Sequence, residues 1–78
     1  MAENFGYILR NIRQTSLKTQ KEFSAEIEVG ESTLNRWENG KKLPKISMLR
    51  RLTAYCEALG YDTTELRKSW QNEKNGVE

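Results

Sequence analysis

Apolar residues in this chain recur every three to four positions, and nowhere do they alternate singly as a half-buried strand requires. Phe5, Tyr7, Ile8 and Ile12 form the first stripe and predict a helix from Asn4 to Thr15, with Asn4 as its cap. Thr19-Gln20-Lys21-Glu22 is a capping box, in which the threonine hydroxyl and the glutamate carboxylate each satisfy a backbone N–H left over at a helix start. Phe23 and Ile27 mark the buried side of the helix that follows, and Val29 the turn after it. Gly30 breaks the pattern and opens a third helix, Glu31 to Asn39, with Leu34 and Trp37 inward. Asn39-Gly40 stops it, because glycine enters the left-handed region at little steric cost.

Lys41-Lys42-Leu43-Pro44 reads as a loop, since proline suits the entrance of a helix rather than its interior. Ile46, Leu49, Leu52, Cys56 and Leu59 trace one apolar face of a longer fourth helix, which Gly60 ends. Asp62-Thr63-Thr64-Glu65 is a second capping signal, opening a short fifth helix through Leu66 to about Trp70. The expected fold is all-α, a compact five-helix domain over residues 1–70 with a polar, flexible tail over 71–78. Trp70, Tyr61 and Val77 come late and have no evident partner in the pattern. They either cover the core or contribute to a dimer contact.

At 78 residues the chain has room for one small core. Its single cysteine, Cys56, excludes an internal disulfide, and its helical spacing from Leu52 and Leu59 makes it a small core residue. With no histidine, a zinc site would need one thiolate plus carboxylates, so neither metal nor cofactor is expected. There is also no glycine-rich phosphate loop and no paired acid/base constellation, which argues against an enzyme. No apolar run approaches the roughly 20 residues that cross a bilayer, and the N-terminus lacks a basic stretch followed by an apolar one. A cytoplasmic setting is the expectation.

Net charge is only +2, but it is unevenly placed. Between Glu31 and Arg51 six basic residues (Arg36, Lys41, Lys42, Lys45, Arg50, Arg51) face two acidic ones (Glu31, Glu38), whereas Glu22 to Glu31 holds four glutamates and no base. A basic zone in a nearly neutral domain fits a localised polyanion contact, with a solvated helix face as the plainer alternative. The segment 19–40 sharpens the first reading. It is two short helices joined by a tight turn, and the second carries Glu31, Ser32, Thr33, Asn35 and Arg36 outward before a lysine pair. Such a face suits the major groove of DNA.

In spacing, residues 5 to 68 resemble the phage-repressor and Cro-type (XRE-like) helix-turn-helix family. Gln20 stands where that family begins its first motif helix, Ser24 at its small residue, Val29 after its turn and Leu34 at the anchor of its recognition helix. Trp37-Glu38-Asn39-Gly40 matches the family's aromatic-Glu-Asn-Gly ending, with Pro44 and the leucine-rich fourth helix in register. Three positions depart from it. Glu28 occupies the turn position usually held by glycine, so either Glu28 takes positive φ or the turn shifts toward Gly30. Ser24 replaces an alanine, and its hydroxyl is free to bond back to the helix backbone. Leu17 sits one residue ahead of an apolar slot that Lys18 fills.

The resemblance implies a double-stranded DNA partner. Base edges would meet Glu31, Ser32, Thr33, Asn35 and Arg36, with Arg36 able to bind guanine O6 and N7 and Glu31 to accept from a cytosine amino group. Phosphates would meet Thr19, Gln20, Asn39, Lys41 and Lys42. It further implies a partly buried pairing of Arg13 with Glu38, and a homodimer through the fourth and fifth helices and the tail, because one module makes too few contacts for a specific site. The leading expectation is a sequence-specific transcriptional regulator, most simply a repressor on a pseudo-palindromic operator. The alternatives are the antitoxin of a toxin–antitoxin pair, with a toxin as protein partner, and a protein-binding helix-turn-helix without DNA affinity.

Overall fold

The computed structural model of the chain describes residues 4–76. Five helices follow one another: α1 Phe5–Thr15, α2 Gln20–Glu26, α3 Glu31–Glu38, α4 Ile46–Ala58 and α5 Thr64–Lys74, with no strand among the described residues. α1 packs on α3 and α5, and α2 packs on α3. One core results. It combines Phe5, Leu9 and Ile12 of α1 with Phe23, Ile27, Leu34 and Trp37 of the motif, and Leu49, Leu52, Cys56, Leu66 and Trp70 close it from α4 and α5.

The helix starts follow from local chemistry. Asn4 accepts a hydrogen bond from the Tyr7 N–H at 2.8 Å, and so caps α1. The capping box of α2 is complete, with the Glu22 N–H donating to the Thr19 hydroxyl (3.1 Å) and the Thr19 N–H to the Glu22 carboxylate (2.9 Å). The second capping signal acts through its first residue. Asp62 does the capping, accepting from the N–H and the hydroxyl of Thr64 at 2.9 and 2.7 Å. Thr63 is turned inward, and its hydroxyl donates to Glu57 at 2.6 Å.

Several apolar positions fall elsewhere than their spacing suggests. Leu9 and Gly6 are buried on α1, whereas Tyr7 is 48% exposed, since a residue two places from Phe5 lies across the helix. On α4, Leu49, Leu52 and Cys56 are buried, but Ile46 and Leu59 at its two ends are exposed because the helix overhangs the core there. Burial also pushes the Cys56 thiol up to about 12, which keeps it protonated.

α5 runs one turn beyond Trp70, to Lys74, so residues 71–74 of the expected tail are helical. Two anchors explain this. Trp70 is buried and its indole N–H donates to the Pro44 carbonyl at 2.8 Å, and Glu73 accepts from the Phe5 N–H at 2.6 Å, one of the orphan donors at the start of α1. Trp70 therefore covers the core, and Tyr61 lies half-buried against it. Val77 is outside the described residues.

Candidate nucleic-acid interface

The turn between α2 and α3 resolves on Glu28, which takes φ 60°, while Gly30 stays extended and merely precedes α3. Leu17, after α1, adopts the same left-handed conformation at φ 62° and is 89% exposed. Both are helix-ending residues without the glycine that would make the conformation cheap. The Arg51 guanidinium supports the first turn by donating to the Ile27 carbonyl at 2.9 Å, which assigns Arg51 to holding α2. Ser24 is buried between α2 and the core, its hydroxyl bonded back to the Lys21 carbonyl at 3.1 Å.

The C-terminus of α3 is tied to α1. Arg13 donates twice to the Glu38 carboxylate, from Nε at 2.7 Å and from Nη2 at 3.0 Å, while its Nη1 reaches the Lys18 carbonyl at 3.0 Å. The Glu38 side chain is wholly buried. The hydrogen bonds that Arg13 donates to Glu38, together with the negative charge of that carboxylate, raise the Arg13 pKa against the opposing effect of burial. The two helices come this close because Gly6 has no Cβ. One placed there would lie 2.4 Å from the Glu38 carbonyl oxygen and 2.6 Å from that of Trp37.

Around that pair the polar side chains close a ring. Gln20 donates to Glu38 at 3.0 Å and accepts from Asn35 at 3.4 Å. Asn35 accepts from Asn39 at 3.0 Å, Asn39 accepts from Arg10 at 3.1 Å, and Arg10 Nε returns to within 3.7 Å of Glu38. Three expected DNA contacts, Gln20, Asn35 and Asn39, are thereby held in fixed orientation. Each amide nitrogen has two hydrogens and uses only one here, so each retains a donor for a ligand.

The remaining expected contacts divide by exposure. Glu31, Ser32 and Arg36 are exposed and make no side-chain hydrogen bond or ion pair among the described residues. Thr33 is half-buried at the lip of an open hollow that α3 shares with Lys42, Pro44 and Met48. Thr19 is exposed, its hydroxyl oxygen occupied by the Glu22 N–H and its hydroxyl hydrogen free to donate. Lys41 and Lys42 are exposed after Gly40, whose φ of 74° turns the chain away from α3. The opposite side of α3, Leu34, Trp37 and Glu38, is buried.

Residues 9–66 match the model of the Helix-turn-helix family. This chain belongs to that family, in its phage-repressor and Cro-type branch. No individual curated protein and no solved structure matches it. As a helix-turn-helix protein it falls among DNA-binding regulators. No cluster of residues suited to a metal ion occurs among the described residues, and no helix there is long and apolar enough to cross a membrane.

Two further residues of this helix-turn-helix carry only weak signals in the sequence. Gly6 lies on the buried face of α1, three positions before Leu9, a placement that signals close approach rather than a turn. Arg10 lies three positions before Arg13, so both face α3.

Proposed function

We propose that this protein reads double-stranded DNA in the major groove with α3 and acts as a repressor by occupying an operator. The observation that carries the reading is the two-sidedness of α3: Leu34, Trp37 and Glu38 are buried, while Glu31, Ser32, Asn35 and Arg36 are exposed. A helix held rigidly from behind, with polar groups in front, is what direct base readout requires. Arg36 addresses a guanine, Glu31 favours cytosine and repels phosphate, and Ser32, Thr33 and Asn35 meet neighbouring base edges. Thr19, Gln20, Asn39, Lys41 and Lys42 hold the flanking phosphates and set the register of the domain.

Two copies bind a pseudo-palindrome with recognition helices about 34 Å apart. The α4–α5 side is the proposed contact. Ile46 is exposed there, and Arg50 and Glu57 lie seven positions apart on the lining of one shallow groove. In an antiparallel α4 pair Arg50 would meet Glu57 of the second copy, a carboxylate that Arg67 and Thr63 of its own chain already engage.

Selection of bound duplexes from a random pool tests the reading. The expected result is an enriched two-fold sequence; in it, Arg36→Ala relaxes preference at one guanine and Lys42→Ala weakens all sequences evenly. A pool that emerges unenriched, or an Arg36→Ala protein with unaltered site choice, counts against it.

A further inference from the structure

Charge in the ring at the end of α3 does not balance. Arg13 and Glu38 neutralise one another through two hydrogen bonds, with Arg13 only 12% exposed and the Glu38 side chain fully buried. Arg10 approaches the same carboxylate no closer than 3.7 Å and keeps 43% of its side chain exposed. The surplus positive charge of the cluster therefore sits on Arg10, at the surface.

Its position is set by one hydrogen bond, to the Asn39 amide oxygen at 3.1 Å. A guanidinium has five N–H donors in a planar fork, so most of those of Arg10 are uncommitted. Asn39 is in turn oriented by Asn35. Arg10 thus adjoins, from a different helix, the end of α3 where the chain turns into the exposed lysine pair.

We infer that Arg10 is a phosphodiester contact carried by α1, using its free donors on a DNA backbone oxygen while Asn39 holds it in place. The inference rests on the DNA-binding reading and extends it to a helix outside the two-helix motif. α1 then does two things with adjacent turns: Arg13 fixes the angle of the recognition helix, and Arg10 grips the strand beside it. Being a phosphate contact, Arg10 contributes affinity and no sequence preference.

The test is a titration of the whole chain with fluorescently labelled duplex at several salt concentrations. Arg10→Gln keeps an amide donor but has no charge; Arg10→Lys keeps the charge. Wild-type affinity should fall steeply with salt, and Arg10→Gln should lower the slope of log affinity against log salt by about one. It should also weaken binding roughly tenfold, equally on preferred and random duplexes. Arg10→Lys should keep the wild-type slope. Thermal denaturation checks that each variant is folded, and Arg10→Met, which preserves the apolar stem, is the second charge-free variant if the glutamine form is not. An unchanged slope in the charge-free variant, or a slope lost equally in Arg10→Lys, overturns the inference while DNA binding stands. Wild-type protein without salt-dependent binding removes the DNA reading itself, and this inference with it.

Discussion

Arg13 and Glu38, 25 residues apart, are joined by a two-pronged ion pair whose acid is fully buried, and this pair locks α1 to the end of α3. Removing Glu38 strands Arg13 in a low-dielectric seam, and removing Arg13 leaves the buried Glu38 only a Gln20 hydrogen bond and Arg10 at 3.7 Å, so breaking the pair from either side costs about 3–5 kcal/mol. A domain of this size has a total stability of only about 4–12 kcal/mol. Arg13→Ala and Glu38→Ala should therefore be largely unfolded or melt far below the wild type in calorimetry. In a double-mutant cycle, the pair replaced together should lose much less than the sum of the two single changes.

Gly6→Ala separates packing from helix propensity. Propensity alone favours alanine in a helix by about 1 kcal/mol. Here the added methyl would collide with the backbone carbonyls of Trp37 and Glu38, neither of which can swing aside as a side chain does. Net destabilisation of about 1–3 kcal/mol is expected, with a Tm several degrees lower. A raised Tm would show that α1 and α3 are less closely apposed.

At the two strained turns the opposite sign is expected. A non-glycine residue in the left-handed region is disfavoured by about 1–2 kcal/mol, against about 0.5–1 kcal/mol for the extra chain entropy of glycine. Leu17→Gly and Glu28→Gly should each raise stability by about 0.5–1 kcal/mol in urea denaturation. Leu17 is the cleaner site, because its side chain is almost fully exposed, whereas Glu28 lies 3.7 Å from Arg51 and loses a weak surface pair. Valine at either position should lower stability.

Three carboxylates make the domain sensitive to acid. Hydrogen bonds from Thr19 hold Glu22 below the usual carboxylate range; the Thr63 hydroxyl, aided by Arg67, does so for Glu57, and Thr64 for Asp62. A depressed folded-state pKa means that the unfolded chain takes up protons first. The stabilisation is present in full above the ordinary carboxylate pKa and is lost as pH falls through the lowered values. The Tm should hold near neutrality and decline only on strongly acid titration, and Glu22→Gln should remove part of that decline. All three groups are exposed, so added salt should leave the hydrogen-bonded share largely intact and weaken the Arg67 share.

The motif itself was legible because its signals are short-range. The Thr19–Glu22 capping box, the Asn39-Gly40 stop and the inward Leu34 and Trp37 each operate within about one helical turn, and all appear where the spacing put them. The end of α5 was not legible. The residues after Trp70 are polar and read as tail, yet Glu73 is drawn into helix by the Phe5 N–H, 68 residues away in the chain. Ile46 and Leu59 fit the α4 stripe by period but overhang the core, since periodicity gives the direction of a side chain and not the extent of what it packs on.

The helix starts, the buried cysteine and the outward polar face of α3 were set by the order of residues alone, because capping and amphipathic spacing involve neighbours three or four apart. Packing decided the rest: that Glu28 rather than Gly30 takes positive φ, that Gly6 admits the backbone of α3, and that Arg10, Gln20, Asn35 and Asn39 close a ring around Glu38. These arrangements join residues up to 32 positions apart, as between Gly6 and Glu38. Such separations are bridged only when whole helices dock, and the docking depends on the fit of all their faces together.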